Sequence, residues 1–161
     1  MPLTLPLRPL RWAALLAISL SAPAWADGDE HRLARVPLLP AYQQECSACH
    51  LAYPPGLLPA ASWRRVMREL PQHFGSDASL DAQTVAQLTQ WLEANARPAR
   101  RTQDGPAPNR ITQSAWFVHE HDELPAGIWR RKAIGSPANC MACHPQADQG
   151  RFHEHDIRMP R

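Results

Sequence analysis

Four cysteines occur in this 161-residue chain, and they fall in two pairs of identical spacing. Cys46-Ser47-Ala48-Cys49 is followed at once by His50, and Cys140-Met141-Ala142-Cys143 by His144. Histidine fills only 8 of 161 positions, so two such neighbours by chance would be an event on the order of 1 in 400. Two structural disulfides would explain the even count but not the histidines. A zinc site of four thiolates would have to bring together pairs that lie far apart in sequence. A thioredoxin-like redox pair would need alternating strands and helices, which the pattern lacks. Covalent haem accounts for every residue of both motifs. Each thiol adds to one haem vinyl group to give a thioether, the two intervening residues set the sulfur separation, and the adjacent histidine is left beneath the ring to ligate iron. The assignment is Cys46, Cys49 and His50 for haem 1, and Cys140, Cys143 and His144 for haem 2.

The sixth coordination positions are then the open question. For haem 1 the candidate is His73, in a turn between two helical segments, flanked by Pro71 and Gly75 and followed by Phe74. Met67 is the competing ligand type, but it falls on a helical apolar stripe and reads as core. For haem 2 the stretch WFVHEHDEL offers His119 and His121. Residues two apart on an α-helix point about 200° apart, so a helix would give haem 2 only one of them. His121 shares the apolar stripe of Phe117, Val118 and Leu124, while His119 shares its side with Ala115, Trp116, Asp122 and Glu123, so His121 is the expected ligand. An extended segment would put both on one face and void that argument. His153 and His155 repeat the letters HEHD within a charged tail and read as solvated. Met159 precedes Pro160 and is a further alternative. A zinc site from the two His-x-His pairs is formally possible. His31 reads as a surface residue. Arg64, Arg65 and Arg68 in the first half and Arg130, Arg131 and Lys132 in the second read either as partners for haem propionates or as solvated charge.

These residues need elements to hold them. Residues 1–26 have a basic start at Arg8 and Arg11, an apolar run from Trp12 to Leu20, and the small-x-small sequence Ala24-Trp25-Ala26. That pattern predicts a secretory signal peptide cleaved after Ala26; the apolar run is well short of the roughly 20 residues of a spanning helix. Removing Arg8 and Arg11 leaves 15 basic residues against 15 acidic ones, which gives no electrostatic footprint for nucleic acid. A first haem unit is expected over 27–96, with a short helix opened by Pro40 and a second helix carrying Trp63, Val66, Met67 and Leu70 up to Pro71. A third is capped by Ser79, carries Val85, Leu88, Trp91 and Leu92, and is stopped by Pro98. A proline- and arginine-rich linker follows at 97–110. The second unit, 111–161, shows one helix-like stretch at 112–122 and then irregular loops, so it relies on its haem for a core. The expected fold class is mainly α with much irregular loop, in two small cytochrome-like haem units of which the first is the more helical.

In ECSACHLAYPPGLLPAASW, then HFGSDASLD with WLEANA, then RITQSAWFVHEHDELP, and last GSPANCMACHPQA with HDIRMPR, the chain resembles the small dihaem cytochrome c family of purple and other proteobacteria. The resemblance covers most of residues 42–161 in one order. It implies two covalently bound haem c groups, each with two histidine ligands, and puts the distal ligands on His73 and His121. His119 falls where the family pattern does not demand histidine, and Met159 departs from an aliphatic residue usual at that place. By the same resemblance the partners are electron-transfer proteins, a membrane cytochrome b as donor and an oxygen-binding monohaem cytochrome c as acceptor.

The function expected is periplasmic electron transfer without substrate chemistry. The alternative class is a dihaem peroxidase or gas-binding haem protein, which needs one open axial position. A third is a module in which haem serves only as core.

Overall fold

A computed structural model describes residues 36–98 and 109–161. The proposed signal peptide, His31 and most of the linker lie outside the described residues.

Helix α1, Pro40–Cys46, has proline at its first turn, where a missing N–H costs nothing. It ends at the first cysteine and the motif completes itself in a turn. Helix α2, Ala60–Arg68, carries its basic residues Arg65 and Arg68 in the last turn, where they complement the negative end of the helix dipole. Trp63, Val66 and Met67 on its inner stripe, and Leu70 just past its end, are all buried, as their spacing predicts. Helix α3, Ala82–Ala94, starts two residues later than a Ser79 cap would place it. Asp81 is the cap: its Oδ1 accepts from the backbone N–H of Gln83 and Thr84 at 2.9 and 3.0 Å. Ser79 instead donates its hydroxyl to Asp77 in a local turn at 2.6 Å. A carboxylate is the better partner for two helical N–H groups at a positive helix end. Nor does Pro98 set the other end; the helix stops at Ala94, and the Asn95 amide donates to the Trp91 carbonyl at 2.8 Å.

Helices α2 and α3 form the main packed pair. Their contact joins Tyr42 of α1 in one cluster with Ala52, Leu58, Trp63, Met67, Leu70, Leu88 and Leu92. Leu88 and Leu92 are fully buried. Leu88→Ala should therefore cost about 2–5 kcal/mol, read as a lowered denaturation midpoint of the holoprotein with haem content unchanged.

The second half is built differently. Helix α4 spans only Ala115–Glu120, preceded by a 3₁₀ turn at Ile111–Gln113. The Ser114 hydroxyl caps it by accepting from Phe117 N–H at 3.1 Å. The expected stretch 112–122 is shortened at both ends: the 3₁₀ turn takes its start, and at its C-terminal end Asp122 and Glu123 would oppose the helix dipole. Beyond it, among the described residues, only short 3₁₀ turns occur. The buried apolar side chains there are Phe117, Ile128, Ile134 and Ala147. Backbone bonds supply the remaining order: Arg158 N–H donates to the Cys143 carbonyl at 2.8 Å, pinning the charged tail against the second cysteine motif. No strand occurs among the described residues beyond two isolated bridges. The fold class read from the sequence holds.

Candidate haem-binding sites

Each motif histidine faces a second histidine from elsewhere in the chain. His50 and His73 lie with ring centroids 6.1 Å apart and planes 19° apart. His144 and His121 lie 6.2 Å apart with planes at 76°. An imidazole–metal bond of about 2 Å on each side, plus about 1.1 Å from nitrogen to ring centre, makes about 6.2 Å across one shared metal. Both pairs have that separation.

The tautomers suit the same purpose. His50 Nδ1 is 2.7 Å from the Leu51 carbonyl, and His121 Nδ1 is 2.8 Å from the Phe117 carbonyl. A carbonyl can only accept, so Nδ1 carries the hydrogen and Nε2 presents its lone pair, the arrangement that fixes and orients metal-ligating histidines. At His73, burial first, then His50 and Arg110, hold the imidazole below its usual pKa, which favours the neutral form that a ligand requires.

Local structure explains the placement. His73 opens the turn His73-Phe74-Gly75-Ser76, closed by Ser76 N–H to the His73 carbonyl at 3.0 Å. Both central residues take positive φ, 51° at Phe74 and 102° at Gly75, as a type I′ turn requires. Glycine does this freely. A phenylalanine in that region costs about 1–3 kcal/mol and persists only where its surroundings hold it. Here the Arg110 guanidinium sits 4.1 Å above the Phe74 ring, and the His73 ring lies 4.8 Å away. His121 terminates α4 as its C-cap residue. Its ring stacks on Phe117 at 4.1 Å and meets Trp129 at 5.8 Å. His144 is flanked by Phe152 at 5.3 Å.

The rival ligands are placed elsewhere. The His119 side chain is 80% exposed, 3.8 Å from Asp122. Val118, expected on the apolar stripe beside His121, is exposed as well, because a helix this short buries only Phe117. Met67 is buried in the α2–α3 core and Met159 is exposed. His153 and His155 stack on each other at 5.2 Å, with His155 exposed beside Asp156. Among the described residues no three His, Cys, Asp or Glu side chains gather to hold a bare metal ion. Arg64 is taken up by Glu93 at 3.5 Å, and Arg65 donates to Asn109 at 2.6 Å.

No disulfide links any two of the four cysteines. Burial pushes Cys46 up to about 11, with Glu45 adding to it. Burial likewise raises Cys140 to about 11, and raises Cys143. These sulfurs sit where charge is disfavoured, and a thioether, like a protonated thiol, is uncharged. Near the second motif Gln146 Oε1 and Arg151 Nε are buried without a hydrogen-bond partner. Such atoms cost about 1–3 kcal/mol each unless a further group meets them. The residues present therefore fit haem at both motifs.

The profile of one protein family, described as dihaem cytochrome c, matches residues 42–152. The chain belongs to the dihaem cytochrome c family. Among solved structures it is similar to the dihaem cytochrome type c of Shewanella baltica, at 36% identity and a TM-score of 0.68, covering 78% of this chain and 95% of that one. It is also similar to the dihaem cytochrome c of Rhodobacter sphaeroides, at 41% identity and a TM-score of 0.65, covering 73% and 98%. No curated protein sequence matches it significantly. As a dihaem cytochrome c the chain carries two covalently bound haem c groups. Sequence reasoning missed the aromatic side chains against the histidines, namely Tyr53, Trp129 and Phe152. They lie in irregular segments, where no periodicity marks which face is buried. The only signal was the closeness of Tyr53 and Phe152 to a cysteine motif.

Proposed function

We propose that this dihaem cytochrome c is a periplasmic electron carrier in which every axial position is filled by histidine. His50 and His73 ligate haem 1, and His144 and His121 ligate haem 2. Cys46, Cys49, Cys140 and Cys143 form the thioethers. The observation that carries this reading is the pair of facing histidines, 6.1 and 6.2 Å apart. Held between two histidines, neither haem would offer a position for peroxide or a gas, and each would supply one-electron exchange between ferric and ferrous states. The chain's own residues orient the imidazoles, exclude water and set the potential; histidine on both sides keeps it below that of a histidine–methionine site. Location in the periplasm rests on the signal-peptide pattern of residues 1–26. A membrane cytochrome b as donor and an oxygen-binding monohaem cytochrome c as acceptor rest on the family resemblance. Among the described residues no helix is long and apolar enough to cross a membrane.

Carbon monoxide added to the reduced holoprotein decides between carrier and enzyme. Both haems should remain low-spin with no spectral shift. A carbon monoxide complex at either haem under native conditions would refute the carrier and favour a peroxidase or gas-binding protein.

A further inference from the structure

Tyr53 belongs to neither cysteine motif, yet it contacts the first motif and the segment that leads into the second. Its ring stacks on His50 with centroids 5.0 Å apart and planes 26° apart. Its hydroxyl donates to the Ala138 carbonyl at 2.8 Å, a contact that spans 85 residues of sequence and lands two residues before Cys140. Its backbone carbonyl accepts from the Tyr42 hydroxyl at 2.8 Å. Tyr42 is itself buried against Trp91, with ring centroids 5.0 Å apart. The chain of contacts therefore runs from the helical core, through Tyr53, to the loop that carries the second motif. Asn139 in that loop is tied back to the Ile134 carbonyl at 3.0 Å.

We infer that Tyr53 is a positioning residue that fixes the second haem-binding segment against the proximal ligand of haem 1, and so sets how the two haems sit relative to one another. The inference rests on His50 and His144 being the proximal ligands. The second half has few buried apolar side chains and only short turns around its motif. Without a tie to the core, its haem would be held by a segment of low local stability. Exchange between two redox centres depends steeply on their separation and orientation, so a rigid link serves transfer directly. A tyrosine suits the task because its ring is stiff and its hydroxyl is neutral. An electron passing between the haems leaves the donor iron ferric and the acceptor iron ferrous, while Tyr53 keeps both its proton and its electrons.

The test uses the full-length holoprotein with Tyr53→Phe, which keeps the ring on His50 and removes only the bond to Ala138, and Leu88→Ala as a control that destabilises the core without removing that bond. Soret circular dichroism reads the mutual orientation of the two haems, absorption reads their ligation, and amide hydrogen exchange reads the loop. Tyr53→Phe should keep both haems low-spin, lose amplitude in the Soret couplet, and exchange the amides around Ala138 about fivefold faster. Leu88→Ala should keep the couplet. A wild-type couplet in Tyr53→Phe overturns the inference, as does an equal loss in Leu88→Ala. A high-spin haem in Tyr53→Phe also overturns it, since Tyr53 would then be supporting ligation. The ligand assignment is read separately, by the carbon monoxide titration of the unsubstituted protein, so failure of one is distinguishable from failure of the other.

Discussion

Replacing His121 with alanine should turn haem 2 high-spin and leave haem 1 low-spin, whereas His119→Ala should leave both low-spin. The His121 ring is stacked on Phe117 at 4.1 Å, with Nδ1 held by the Phe117 carbonyl at 2.8 Å and His144 facing it at 6.2 Å. Removing that ring leaves one face of the proposed iron site without a protein ligand. Among the described residues, the two alternatives for that position are turned elsewhere: His119 points to solvent beside Asp122, and Met159 is exposed. The variant should bind one carbon monoxide per two haems when reduced. The potential of the altered haem should move while that of the other stays, since axial ligation is a dominant lever on iron potential. Absorption spectra of the two alanine variants, with and without carbon monoxide, check this. A high-spin haem in His119→Ala with none in His121→Ala would reverse the assignment.

The parts of this protein legible in sequence are those where one residue type has one job. The Cys-x-x-Cys-His motifs stood out because covalent attachment leaves no freedom in spacing. The stripes of α2 and α3 could be read because Trp63, Val66, Met67, Leu88 and Leu92 pack on one side of long enough helices. Choices between chemically similar neighbours were harder. Ser79 and Asp81 are both good caps, and only the fold shows that Ser79 is engaged by Asp77. Helical periodicity separates His121 from His119 if the helix runs through residue 122, but α4 ends at Glu120. The two histidines are nevertheless placed differently, because the His121 ring reaches back to the Phe117 carbonyl through Nδ1 while the His119 side chain is exposed. Val118 shows where the same pattern fails, since nothing packs over that side of so short a helix. Tyr53 could not be assigned from sequence at all, because its role depends on a contact 85 residues away.

The oxidised protein should show two different low-spin electron paramagnetic resonance signals of equal intensity. The cause is the orientation of the histidine planes, 19° apart at the first site and 76° at the second. Each imidazole π-system interacts with the iron d orbital that lies perpendicular to its own plane. Two nearly parallel rings act on the same orbital, split the pair strongly and give a rhombic spectrum. Two nearly perpendicular rings act on both orbitals alike, leave them almost degenerate and give a spectrum dominated by one large g value. The ring planes are held by neighbours, as expected for oriented metal ligands: His50 by the Leu51 carbonyl and Tyr53, His121 by the Phe117 carbonyl and ring. His121→Ala should therefore abolish the large-g signal and spare the rhombic one. Phe117→Leu, which removes the stacked ring but leaves the backbone carbonyl, should shift the large-g signal while both haems stay low-spin. Two rhombic signals in the unsubstituted protein would mean that the second pair of rings is not perpendicular when iron is bound. Loss of the rhombic signal in His121→Ala would mean that His121 serves the other haem.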